Sequence, residues 1–179
     1  MVAGALSLVF GLLLAQFFRS SLTWQARNLR RTNLQQQMNV ALERIGSEMQ
    51  RSTPAGITTG ANRVSIQKIA DVSTDLPPHL IWETALGVFF VDADGLHRRS
   101  WPPQPPNLGV TLTTSMPFRP DASQLTTLCL PNNAVSLGRN VTAVQVSNPN
   151  TLPLTLSVTV AEDTESFSTS RTLSLRNAE

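Results

Sequence analysis

The first eighteen positions, Met1 to Phe18, carry no charge, and only Gly4, Ser7, Gly11 and Gln16 interrupt an apolar run. As a helix rising 1.5 Å per residue it would span about 27 Å, close to the hydrocarbon thickness of a bilayer. A buried core helix and a cleaved signal peptide are the alternatives. A signal peptide normally has a basic start, a shorter apolar stretch and small residues at the cut. Here no base precedes the run and Gln16-Phe17-Phe18-Arg19 follows it, so a membrane anchor fits better.

The run does not end in a turn. Between Arg19 and Ser52 the only Gly or Pro is Gly46, and Gln35, Gln36, Ala41, Leu42 and Glu43 are good helix formers. Leu34, Met38, Leu42, Ile45 and Met49 recur at steps of four, four, three and four, one narrow apolar stripe. Ser52-Thr53-Pro54-Ala55-Gly56 opposes continuation. The pattern predicts one helix over 1–52, greasy in its first third and amphipathic in its last. The stripe is expected to pack the helix on its own domain. A coiled coil with another chain is the alternative, although two heptads are few for an independent zipper.

From Gly56 onward β-branched and apolar runs alternate with turn residues and no second long helical period appears. The expected strands are Arg63 to Ile69, His79 to Glu83, Leu86 to Val91, Leu96 to Trp101, Gly109 to Thr113 and Leu125 to Leu130. Val141 to Val146, Leu154 to Val160 and Arg171 to Arg176 complete the set. Leu154-Thr155-Leu156-Ser157-Val158-Thr159-Val160 alternates strictly, the mark of a half-buried antiparallel strand. Asp92-Ala93-Asp94-Gly95 reads as a hairpin loop with glycine in the left-handed position. It lacks the further acidic ligands of a calcium loop. The proline-rich stretch from Trp101 to Pro106 suits a linker or a sheet edge. The fold class is therefore α+β: a long N-terminal helix packed on a small antiparallel β-sheet head. Its parts are 1–18, the apolar half of the helix; 19–53, the amphipathic half; and 54–179, the β-rich head.

Composition narrows function mainly by exclusion. Of 179 residues 41% are hydrophobic and only 15% charged, too apolar for a disordered chain. The single Cys129 rules out an internal disulfide and any CxxC zinc or redox site; it is expected as a buried, inert thiol in a strand. Neither His79 nor His97 has a Cys, Asp or Glu at metal-ligand spacing, and no GxSxG, HExxH or phosphate-cradling loop is present. Glu162-Asp163 reads as a polar hairpin. No catalytic residue, cofactor or metal is expected. Residues 1–53 hold six arginines against two glutamates, a net of +4. Arg27, Arg30 and Arg31 form a cluster read as a solvated collar above a membrane, where anionic lipid headgroups are the available partner. No aromatic-rich basic patch accompanies it, which argues against nucleic acid.

The order of parts resembles the type IV pilin-like proteins, and among them the minor pilins and pseudopilins of the pseudopilin J and PilW type. Val2-Ala3-Gly4-Ala5-Leu6 is similar to the end of that family's F-T-L-I-E-L-L-V-A opening, and Ala41 to Arg51 to its helix end. Gly95 to Pro102 is similar to its hairpin strand ending in W-P, Val135 to Val144 to a further strand, and Arg171 to Asn177 to its closing R…LRN. The resemblance implies a non-enzymatic structural subunit of a type IV pilus or type II secretion filament, acting with other pilin-like subunits in a hetero-oligomeric tip that primes assembly. Residues 2–18 would wait in the bacterial inner membrane, single-pass with the β domain in the periplasm, and then enter a helical bundle. Val2, Gly4, Ala5, Leu6, Val9, Gly11, Leu13 and Phe17 would make those lipid and helix contacts, small residues permitting close approach. Leu34, Met38, Leu42, Ile45 and Met49 would hold the head.

The family's basic leader, its cleavage glycine and its early acid do not precede Val2. Set against the resemblance, this means either a start upstream of Met1, with a glutamate about two residues before it and a prepilin peptidase as partner, or a divergent member that is not processed; the first is expected because everything downstream is intact. Arginines after an apolar run would by themselves keep the β domain cytoplasmic; the resemblance implies the reverse. A bitopic membrane protein whose β domain binds a ligand or partner outside any filament is the alternative reading, and a membrane-tethered enzyme with an unrecognised site is a second.

Overall fold

The computed structural model describes residues 2–101, 112–129 and 133–175, with side chains from residue 10 onward. One uninterrupted helix, α1 (Val2–Met49), is about 72 Å long. It ends three residues before the proline-directed stop expected at Ser52. The amides of Arg51 and Ser52 reach back to Glu48 and Met49, tightening the last turn, and Pro54–Gly56 forms a single 3-10 turn. Ser52 is fully buried there and its hydroxyl donates to the Gln67 carbonyl at 2.6 Å.

Among the described residues the head contains two antiparallel sheets where the sequence suggests one. The first is a meander of β1 (Ile57–Gly60), β2 (Arg63–Val72), β3 (Leu80–Asp92), β4 (Gly95–Trp101) and β5 (Val135–Gly138), in that spatial order. The second is β6 (Val141–Ser147), β7 (Leu154–Glu162) and β8 (Glu165–Leu173). The two stretches expected at His79–Glu83 and Leu86–Val91 are one strand, β3, whose register with β2 shifts between Gln67 and Ile69, with extra residues in β3, and again between Ile69 and Asp71. The turn from β3 to β4 spans Ala93 and Asp94, and Gly95 has φ +112, which explains the glycine. The last strand begins at Glu165, directly after the Asp163-Thr164 turn, rather than at Arg171. Residues 109–111 of the strand expected at Gly109–Thr113 lie outside the described residues, and Leu112-Thr113 is not strand.

One expected strand is a helix. The run of apolar and β-branched residues from Leu125 to Leu130 predicts a strand, yet Ala122–Leu128 forms α2. Asp121 accepts from the Gln124 amide at 2.8 Å while the Gln124 side chain accepts from the Asp121 amide at 3.0 Å, a reciprocal capping box. The Ser123 hydroxyl, and then the Gln124 amide, hold the Asp121 carboxyl below the ordinary carboxylate range. Leu125 and Leu128, three apart, turn to the same side and are buried.

The core has two parts, one on each face of the first sheet. On one side α1 brings Leu34, Met38, Ala41, Leu42, Ile45 and Met49, all buried. These meet Val64, Ile66, Phe89 and Leu96 of the first sheet and Leu154, Leu156, Val158 and Val160 of β7. The helix lies chiefly on β7, with β5, β8 and β2 beside it. On the other side Leu86, Val88, Phe90 and Trp101 pack with Leu112, Leu125 and Leu128. Burial on both faces is why β3 reads as the nearly continuous run Leu86-Gly87-Val88-Phe89-Phe90-Val91. Gly87 leaves room for the Glu48 carboxylate, which a Cβ there would strike. Arg98 of β4 donates to that carboxylate at 2.6 Å, tying the end of α1 to the sheet.

Truncating a buried aliphatic in such a core costs about 2–5 kcal/mol. Leu42→Ala in the full chain is expected to lower the unfolding free energy by that amount in chemical denaturation, while Val40→Ala, on the exposed side of the same helix, should change it by less than about 0.5 kcal/mol. Equal effects at the two positions would contradict the packing described.

Candidate functional site

The apolar stripe at the C-terminal half of α1 is spent inside the head. What the molecule offers outward is the other half. The junction lies at Arg30 and Arg31, which reach the tip of the β7–β8 hairpin. Arg30 Nη1 stands 2.8 Å from Asp163 Oδ2, and Arg31 Nε 3.2 Å from Glu165 Oε1. Asp163 occupies the left-handed region, φ +53, at the turn that presents both acids. The arginine cluster read as a uniform solvated collar is thus divided. Two of its members tie down the hairpin, and Arg27, like Arg19, makes no ion pair among the described residues. Exposed pairs of this kind contribute about 0.2–1 kcal/mol each and weaken with salt.

On the N-terminal side of this junction α1 leaves the head. Phe10, Leu12, Leu13, Phe17 and Phe18 are exposed, and so are Leu22, Trp24 and Leu29 beyond the apolar run. Phe17 and Phe18 meet edge to face, ring centres 6.3 Å apart. Gly11 lies open, with nothing near the place of its absent Cβ. Of the residues assigned to lipid and helix contacts, Gly11, Leu13 and Phe17 therefore stand uncovered. Val2, Gly4, Ala5, Leu6 and Val9 belong to the helix, with side chains outside the described residues. Among the described residues no helix is long and apolar enough to cross a membrane. Large apolar side chains in such number on one projecting element are nonetheless a surface that asks for a cover.

Elsewhere several polar groups serve the fold. Asp92 accepts from the Asp94 amide at 2.8 Å and lies 2.9 Å from His97 Nε2, whose ring stacks on Phe90. The acidic neighbour that His97 lacks along the chain is brought to it by the hairpin. His79 is exposed at the start of β3. Among the described residues no three His, Cys, Asp or Glu side chains are placed to share a metal. A cavity of about 290 Å³ between the β1–β2 turn and α2 is bordered by Arg63, Thr58 and Thr126, with no nucleophile beside a base. Arg63 donates to Thr126 Oγ1 at 2.5 Å.

Cys129, expected in a strand, is the C-cap of α2, half-buried beside the second core. Burial pushes its thiol up to about 11, against the opposing pull of Arg63 and Arg99. No family model, curated protein or solved structure matches this chain.

The thiolate is the reactive form. Alkylation of Cys129 in the folded chain is therefore expected to keep accelerating through pH 9 and level off only near 11. Between those values the unfolded chain has released a proton that the folded chain still holds, so the wild type should lose stability relative to Cys129→Ala as pH rises. An alkylation midpoint at or below pH 9 would contradict the buried thiol.

Proposed function

We propose that this chain is a structural subunit of pilin-like kind, a minor pilin or pseudopilin of a type IV pilus or type II secretion filament, acting with related subunits in the complex that primes assembly. The observation that carries the reading is the division of α1. Its C-terminal part is built into an antiparallel head, and its N-terminal part projects with its large apolar side chains uncovered. Such an element can be stored in a lipid bilayer and later transferred to a bundle of like helices, because the exchange replaces apolar contacts with apolar contacts.

In this reading residues 2–18 anchor a single-pass protein in the inner membrane, with the head on the periplasmic side. The ion pairs of Arg30 and Arg31 keep the hairpin against the helix about 18 Å beyond the end of the anchor. The head is a recognition surface for other subunits and needs no cofactor. The second reading, a bitopic protein whose head binds a partner outside any filament, is favoured by the same projecting helix and differs only in what covers it.

The two readings separate at the glycines. A lipid anchor needs only apolar side chains of sufficient length, whereas a packed helix bundle needs small residues where backbones approach. Gly4→Leu combined with Gly11→Leu should leave the protein in the inner membrane at normal abundance and abolish its entry into filaments or its priming of them. Val2→Leu with Val9→Leu, equally greasy but without new bulk at glycine, should still assemble. If both variants support as many filaments as the parent, the helix is an anchor alone.

A further inference from the structure

The face of α1 turned away from the head has a pattern of its own. From Gly4 to Asn39, alternating steps of four and three residues meet no charged residue at any position. The mean step is 3.5, the spacing of a coiled-coil seam. Within this frame Phe18, Leu22 and Leu29 are 63%, 65% and 72% exposed, an open apolar line with Gln25 between Leu22 and Leu29, and Thr32 and Gln36 continue it beyond Leu29. Gln36 and Ile45 are nine residues apart, half a turn out of phase at 3.6 residues per turn. The seam is therefore opposite the stripe that holds the head. By the same spacing Arg27, Arg30 and Arg31 fall on the head side; of the positions flanking the seam between Phe18 and Gln36, namely Arg19, Ser21, Ala26, Asn28, Asn33 and Gln35, only Arg19 is charged, and in a parallel pair it stands opposite Leu14 rather than a second arginine.

Two further observations make this a packing surface rather than a greasy strip. A hollow of about 300 Å³ on α1 is lined by Gln25, Asn28, Leu29 and Thr32, with Trp24 at its side. Residues at i, i+3, i+4 and i+7 are the four that form the hole receiving a side-chain knob from a facing helix. Gly11, at another seam position, lies in mid-helix, where glycine is a poorer helix former than alanine, and nothing among the described residues occupies the space a Cβ would take. The chain's own fold gives no reason for a glycine there; close approach of a second backbone does. At Leu29 lipid does not supply the cover. Leu29 stands about 16 Å along the helix beyond Phe18, past the interfacial zone of a bilayer on a helix normal to it.

We propose that this seam binds the same face of a second copy of the chain, with the two α1 helices parallel and in register. A parallel arrangement sets Leu29 of one copy over the hole bounded by Gln25, Asn28, Leu29 and Thr32 of the other. Gln25, Thr32 and Gln36 face their own counterparts, where an amide or hydroxyl can donate to and accept from itself. No like charges oppose one another across the flanks, so nothing repels self-pairing or selects a different sequence. Both apolar ends then point the same way, as one membrane requires, and the two heads sit on opposite outer sides without collision. This inference does not rest on the filament reading; it holds equally for a bitopic membrane protein.

The test uses the full chain, purified alone in detergent micelles on a Cys129→Ala background, with single substitutions Leu22→Cys, Leu29→Cys or Gln36→Cys and oxidation by copper phenanthroline. Facing positions of a parallel pair bring their Cα atoms within disulfide range. These three are expected to form disulfide-linked dimers at least ten times faster than Arg27→Cys or Arg44→Cys, which lie off the seam. A second variant guards against nonspecific capture: Leu29→Glu in the otherwise native chain should sediment as a monomer while its head melts as the parent does, because Leu29 is exposed and belongs to neither core cluster. Equal cross-linking at all positions, no dimer, or a dimer that survives Leu29→Glu would overturn the proposal. Since no other subunit is present, a failure to build filaments in cells leaves this result untouched, and the reverse.

Discussion

The contact between the C-terminal half of α1 and β7 is the interaction on which the rest of the molecule depends. Leu34, Ala41, Ile45 and Met49 lose essentially all solvent exposure there, as do Leu154, Leu156, Val158 and Val160. Each buried aliphatic is worth about 1.5–3 kcal/mol before chain entropy is charged against it. A strand that alternates Leu and Val with Thr and Ser has one apolar face to cover, and a helix with a narrow stripe has one apolar edge to hide. Neither is satisfied without the other.

Once that contact exists, other features follow. The second sheet reaches the first through β6, whose Val144 amide meets the Asn62 side chain at 3.4 Å, so both sheets share the core under α1. The first sheet, covered on that side, has a second apolar face, and α2 with Leu112 closes it. Glu48 and Arg98 fix the end of the helix over Gly87; Arg30 and Arg31 fix its exit at the β7–β8 hairpin. Between those two ties the helix belongs to the head. Before the first of them it belongs to whatever lies outside, and the functional reading concerns that portion.

The helix, its stripe and the strongest strands were legible because each has a clean period: steps of three and four from Leu34 to Met49, and strict alternation from Leu154 to Val160. The errors have physical causes. Leu125-Thr126-Thr127-Leu128-Cys129-Leu130 offers β-branched residues and an apolar alternation at its end, yet Asp121 and Gln124 form a capping box that starts a helix three residues earlier; the signal was in the sequence and was outweighed. The first half of β8, Glu165-Ser166-Phe167-Ser168-Thr169-Ser170, alternates with only one apolar side chain, so its pairing with β7 shows only in the fold. β1 and β5 are four residues each, too short to carry a period, and exist because a longer neighbour lends them a ladder. The separation of α1 into a head face and an opposite, uncharged face was in the sequence too, but which face the head would take needed the structure.

The central claim is that α1 is one helix in two mechanical halves, the second an integral part of the head. Residue-resolved amide hydrogen exchange on the full chain tests it most directly. Amides from Leu34 to Met49 should exchange only when the head unfolds, with the same protection free energy as those of Leu156 to Val160 in β7 and the same response to denaturant. Helix amides that open far more readily than β7, or that keep their protection when β7 has lost its own, would contradict the account.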